Sequence, residues 1–239
     1  MNKKDGKMLG ILGGMGPEAT VLFYRMVVRH TEALEDQDHI DMVIYNHATI
    51  PDRTGMVKAQ KIDVLAQTLI TDAKKLEAFG ADCLVLTCNT SHVVADEIQA
   101  AINIPLINMI KETAAECDDL FTQRPAKLAV LATDGTIESR LYQRELEARG
   151  IEAYVPRADN QKLIMRLIYD IKSGKDVDVN DYIEVEKELH YAGCRSAVLG
   201  CTELSVLKER FGLAGFMVDA LQVLVKRVIA FAGKTYIDR

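Results

Sequence analysis

Several things are missing from this chain of 239 residues, and each absence removes a class of function. No Lys/Arg run is longer than a pair and the formal net charge is -6, so the basic face that lets a duplex binder release counterions is lacking. No apolar stretch approaches the ~18 residues needed to cross a bilayer. Neither nucleic acid nor a membrane is therefore expected as a partner. Lysines precede an apolar run near the N-terminus, but that run breaks into glycines, a proline and a glutamate with no small-residue cleavage site, so secretion is not expected either. There is no C-x-x-C pair, and the cysteines (Cys83, Cys88, Cys117, Cys194 and Cys201) are odd in number. This usage points to reduced thiols in a cytoplasm rather than to a disulfide framework or a structural zinc.

What is present is an ordinary globular balance, 49% apolar and 27% charged, in a length that suits one large domain or two small coupled ones. Short aliphatic runs alternate with longer amphipathic segments. Strands are expected near Met8–Leu12, Met42–Tyr45, Cys83–Thr87, Leu106–Ile107, Leu128–Leu131, Glu152–Val155, Ala197–Leu199 and Phe216–Val218. Helices are expected over Pro17–Leu34, Val57–Phe79, Ser91–Ile102, Thr136–Arg149, Gln161–Lys172 and Asp219–Phe231. Unbroken apolar strands alternating with helices predict an α/β protein with parallel sheets covered on both faces.

An internal repeat carries more information. Gly80-Ala-Asp-Cys-Leu-Val-Leu-Thr-Cys88-Asn-Thr and Gly193-Cys-Arg-Ser-Ala-Val-Leu-Gly-Cys201-Thr-Glu share a helix-ending glycine, a buried strand, and a cysteine eight residues after the glycine. Upstream, Leu9-Gly-Ile-Leu-Gly-Gly-Met-Gly corresponds to Leu128-Ala-Val-Leu-Ala-Thr-Asp-Gly. Two similar halves imply two pseudo-symmetric domains with parallel-core sheets and a site in the cleft between them, because ligands of open α/β sheets bind beyond the carboxyl ends of the strands. The expected division is residues 1–112 together with 217–239 as one domain and 113–216 as the other.

Cys88 and Cys201 then face that cleft at strand-to-helix turns, where a helix N-terminus favours the thiolate. A buried free cysteine is commonly just a small hydrophobe, and Cys83, Cys117 and Cys194 are read that way. Two matched thiols facing one substrate suit stereoinversion at a carbon acid: one removes the Cα proton and the other returns a proton to the opposite face. His92 is read as a helix-start residue rather than a base, and no second ligand pair gives Cys88 and His92 a metal. The loop Gly13-Gly14-Met15-Gly16-Pro17-Glu18-Ala19 matches a loose dinucleotide fingerprint, but the second strand runs into Asn46 and His47 where a ribose-binding acid belongs. A tight turn that brings backbone to a small carboxylate, with Pro17 at the first helical position, fits better. Arg53, in Ile50-Pro51-Asp52-Arg53-Thr54-Gly55, is either a plain loop cation or a carboxylate clamp. Lys162 is either a solvated helix-start lysine or a second cation reaching the cleft.

Taken together, LGILGGMGPEAT, IPDRTG, LTCNTSH, LATDGT and LGCTE, spread over almost the whole chain, resemble the aspartate/glutamate racemase family, and cofactor-independent aspartate racemases in particular. The resemblance implies two pseudo-symmetric α/β domains, no pyridoxal phosphate or other cofactor, no metal, and a homodimer. It implies Cys88 and Cys201 as the catalytic pair. Met15, Asn89, Thr90 and Thr202 would surround the amino-acid end of the substrate, with Arg53 and Lys162 on a side-chain carboxylate. Glutamate racemases proper carry histidine after GCT, where this chain has Glu203. The expected activity is interconversion of L- and D-aspartate. Alternatives are racemisation of glutamate or a broader range, another reaction of the superfamily such as maleate isomerisation, and non-catalytic binding of an acidic amino acid.

Overall fold

The computed structural model describes residues 6–239. Its first half runs β1 (Leu9–Gly13), α1 (Pro17–His30), β2 (Met42–Asn46), α2 (Arg53–Lys58), α3 (Ile62–Phe79), β3 (Cys83–Leu86), α4 (Ala95–Ala101) and α5 (Met109–Leu120). The second runs β4 (Ala126–Leu131), α6 (Asp134–Glu138), α7 (Leu141–Glu147), β5 (Ile151–Tyr154), α8 (Ala158–Lys172), α9 (Val179–Tyr191), β6 (Ser196–Leu199), α10 (Thr202–Phe211), β7 (Met217–Asp219) and α11 (Ala220–Phe231). Every pairing between these strands is parallel, in the orders β2-β1-β3 and β5-β4-β6-β7. The central strands are apolar and buried along their length, as sheets covered by helices on both faces require. Among the described residues no helix is long and apolar enough to cross a membrane.

The repeat is real in three dimensions and longer than its sequence signature. Gly80 and Gly193 both adopt positive φ (110° and 74°), each ending a helix just before a central strand; a side chain there would be strained. Leu106 makes a parallel bridge to Leu84, where β7 stands in the other half. Asn108 and Asp219 then cap α5 and α11 in the same way, each accepting two backbone N–H groups on its Oδ1.

The segment 217–239 divides: β7 hydrogen-bonds to β6 and completes the second sheet, burying Val218, while α11 packs on α1 and Tyr236 bridges Thr31, so the chain beyond β7 lies on the first half. In return α5 packs on α7. Each half thus lends its last helix to the other. Three segments expected as single helices are also broken. Gln60 and Arg140, both at positive φ, separate α2 from α3 and α6 from α7, and a 3-10 turn at Thr90–Val94 precedes α4.

Candidate active site

Cys88 and Cys201 each lie two residues past the end of a central strand, β3 and β6, and each is 6% exposed. The turns that carry them touch across the halves. The Thr202 hydroxyl points at the Thr87 carbonyl at 3.5 Å, and the Tyr142 hydroxyl of α7 donates to Asn89 Oδ1 at 2.5 Å. The Thr90 hydroxyl clusters with those of Thr133 and Thr136 at 3.0 and 2.9 Å. Farther out, Lys58 pairs with Asp134, and the Tyr169 hydroxyl donates to Asp52.

The two thiols have different surroundings. Cys201 is the N-cap of α10, as expected, whereas Cys88 is followed by the 3-10 turn. The Cys201 Sγ–H donates to Glu203 Oε2 at 2.9 Å, and Glu203 is itself buried. Burial, and then the negative charge of Glu203, push the Cys201 thiol well above its ordinary pKa, outweighing the pull of Lys172 and of the Glu203 backbone N–H. The thiolate-favouring helix start anticipated for Cys201 is therefore overridden. The other three cysteines are core: burial lifts Cys83 and Cys117 to about 12 and Cys194 to about 11.

Arg53 opens α2, after Asp52 caps that helix by accepting the Gly55 N–H. Its buried guanidinium donates from Nη1 to the carbonyls of Ile50 and Pro51 and from Nη2 to that of Met15, while Nε has no partner. Met15 is buried beneath it, its sulfur accepting the Ser91 hydroxyl. On Asn89 the Oδ1 is taken by Tyr142 and the buried Nδ2 is unpartnered. An arginine edge and an amide N–H₂ are thus held buried with donors to spare. Thr90 is committed to the threonine cluster, and Thr202 to Thr87 and Glu203.

Lys162 departs from expectation. It is the fifth residue of α8, its side chain 76% exposed and paired with Asp159. The lysine that the structure brings to the thiols is Lys172, at the other end of the helix and about 15 Å further along by the 1.5 Å rise per residue. Burial opposes its charge, yet the field of Glu203 and of both cysteines outweighs burial and the repulsion of Arg53, so its ammonium is held above its ordinary pKa. Asp52 is 3.8 Å from its Nζ. The reason is the lie of α8. Gln161 donates to the Ala132 carbonyl just past β4 while Tyr169 reaches Asp52 in the other half, so the helix runs across the sheet ends and delivers its last turn, not its first, to the cleft. Sequence reasoning also missed Tyr142. It noted Glu203 only as a departure from glutamate racemases, although the repeat aligns Glu203 with Thr90. His92 is structural: Nδ1 donates to the Cys88 carbonyl and Nε2 accepts the Met109 N–H. Among the described residues no three His, Cys, Asp or Glu side chains converge as metal ligands do.

Each sheet thus carries one buried thiol just past a strand end, and both thiols lie within the field of Lys172. The chain belongs to the Asp/Glu/hydantoin racemase family, whose profile matches residues 12–228. It is 35% identical over 234 residues to the broad specificity amino-acid racemase RacX of Bacillus subtilis (strain 168), covering 93% of this chain and 97% of that one. The aspartate racemase of Picrophilus torridus superposes with a TM-score of 0.78 at 28% identity, covering 97% of this chain and 96% of the other. The glutamate racemase of Francisella tularensis subsp. tularensis SCHU S4, solved with D-glutamate, shares the fold with a TM-score of 0.71 at 18% identity, covering 95% and 81%.

Proposed function

We propose that this racemase interconverts the enantiomers of a small acidic amino acid, aspartate first, by a two-base mechanism at Cys88 and Cys201. The observation that carries the substrate class is the pair of cations beside the thiols. Arg53 is tied down on Nη1 and Nη2 but has a buried, unpartnered Nε–H, and Lys172 is held charged close by. A carboxylate seated side-on on Nε and Nη2 would supply the missing acceptor and gain a charge-assisted pair. The Picrophilus relative, named an aspartate racemase, supports the same reading.

In one direction the Cys88 thiolate takes the Cα proton, leaving a carbanion whose charge spreads into the α-carboxylate. The Cys201 thiol protonates the opposite face and becomes the thiolate. The other direction starts from the state this leaves: the Cys201 thiolate removes the Cα proton and Cys88–SH supplies the other. Where Cys201 begins as the thiol, its S–H bond breaks and a carboxylic O–H forms on Glu203, which passes that proton to solvent while the Cys88 thiolate takes one up from solvent, so the proton count is unchanged. The chemistry needs no cofactor. L-Aspartate incubated with the protein in deuterated water, with nothing else added, should yield D-aspartate carrying deuterium at Cα. Absence of both would refute the proposal for this substrate.

A second reading is broader specificity, which the RacX relative supports. A specific feature favours it too: Lys172 is flanked by the carboxylates of Asp52 and Glu203, which would suit a substrate with a cationic end. A panel of aspartate, glutamate, asparagine, glutamine, lysine and arginine separates the two readings.

A further inference from the structure

Tyr142 is the largest of the side chains that are fully buried, and it lies between the two thiol turns rather than within either. Its hydroxyl meets Asn89, the residue after Cys88, at 2.5 Å. Its ring meets Gly200, the residue before Cys201: a Cβ on Gly200 would fall 2.8 Å from ring Cε2 and 3.2 Å from Cδ2. Only glycine lets the ring lie so close to that backbone.

We propose that Tyr142 is a positioning residue for racemisation, which spans both thiol turns and fixes the Asn89 amide so that its Nδ2 faces the α-carboxylate of the substrate. This rests on the reaction proposed above. With Oδ1 engaged by the phenol, Asn89 cannot turn its amide over without breaking that hydrogen bond, and the Nδ2 that remains is buried with no partner. Holding such a donor unpaired is unfavourable, and that cost is recovered when an acceptor arrives. As the Cα proton leaves, charge builds on the α-carboxylate, so an N–H aimed there is worth more in the transition state than in the ground state. Burial also keeps the phenol protonated, its pKa pushed far up, so the O–H remains available to Asn89 at neutral and alkaline pH.

Tyr142→Phe keeps the ring against Gly200 and deletes only the hydroxyl. It should lower kcat about 10-fold or more for both enantiomers, with KM changed little. In an Asn89→Ala background the same substitution should cost less than about 2-fold, because the residue through which it acts is gone. Without any ligand, the Asn89 side-chain N–H₂ signals in a ¹⁵N spectrum, assigned by their loss in Asn89→Ala, should move in Tyr142→Phe. An unchanged kcat, an equal loss in both backgrounds, or unmoved amide signals in an active enzyme would overturn the role of Tyr142 alone. A wild-type protein that racemises nothing would remove the reaction, and this role with it.

Discussion

The Cys201 thiol donates to a buried carboxylate, Glu203, whereas the residue at the matching place after Cys88 is Thr90, whose hydroxyl is spent on Thr133 and Thr136. The halves repeat the backbone but not the proton chemistry. Because the equilibrium constant of a racemisation is 1, kcat/KM must stay equal in the two directions for any variant, so this inequality can show only in kcat and KM separately. Glu203→Gln should lower kcat unequally for the two enantiomers, with compensating KM changes. It should also bring the Cys201 thiol pKa down, since the negative charge that helps hold it up is gone. Alkylation rates against pH in a Cys88→Ser background would show that shift, and an unmoved profile would count against the Glu203 role.

Cys88→Ser and Cys201→Ser should each cost about 10²–10⁴-fold in racemisation, because a hydroxyl cannot serve as the carbon base at neutral pH. Mass spectrometry after brief iodoacetamide treatment at neutral pH should find Cys88 modified first and protected by substrate. Cys83, Cys117 and Cys194, lifted to about 12, 12 and 11, should stay unmodified. Labelling spread evenly over all the cysteines would contradict the assignment.

The two lysines of α8 make opposite predictions. Lys172→Met should raise KM for aspartate about 10–100-fold, the loss of one charge-assisted contact. Lys162→Met, which removes an exposed charge paired only with Asp159, should leave both kinetic constants within about 2-fold. Steady-state kinetics on the pair decide between them.

His92 makes stability depend on pH. Its pKa is about 4 in the folded chain, mainly through burial, against 6.5 for the free side chain. As pH falls the unfolded chain takes up the proton first, so this contribution is whole above about pH 6.5 and drains away towards pH 4. Of the wild type's loss between pH 7 and 5, about 2 kcal/mol should come from this group. His92→Gln should lower stability at pH 7 and flatten that dependence, as urea unfolding at the two pH values would show.

The fold was legible because its signals are local. Cys83–Leu86 and Ser196–Leu199 are apolar runs that make sense only as covered parallel strands, and the glycine before each marks a helix end. The thiols were legible because they recur at one register in both halves. What escaped was set by direction and crossing. The apolar stripe of Ile164, Leu167, Ile168 and Ile171 shows which face of α8 is buried, but a stripe has no information about which end of a helix lies over the cleft. The resemblance pointed to Lys162, and nothing in the stripe could show that Lys172 is the lysine delivered to the thiols.

By itself, then, the sequence determined two α/β halves and a matched pair of cysteines, since strand burial, helix caps and repeat spacing are written in neighbouring residues. Only the tertiary structure decided that β7 closes the second sheet while α11 crosses to the first half, that Lys172 joins Arg53, that Glu203 accepts a hydrogen bond from the Cys201 thiol, and that Tyr142 bridges the two turns. Each of these depends on groups far apart in the chain meeting in a dry interior, where a single carboxylate or hydroxyl changes the chemistry of its neighbour and no local pattern records the meeting.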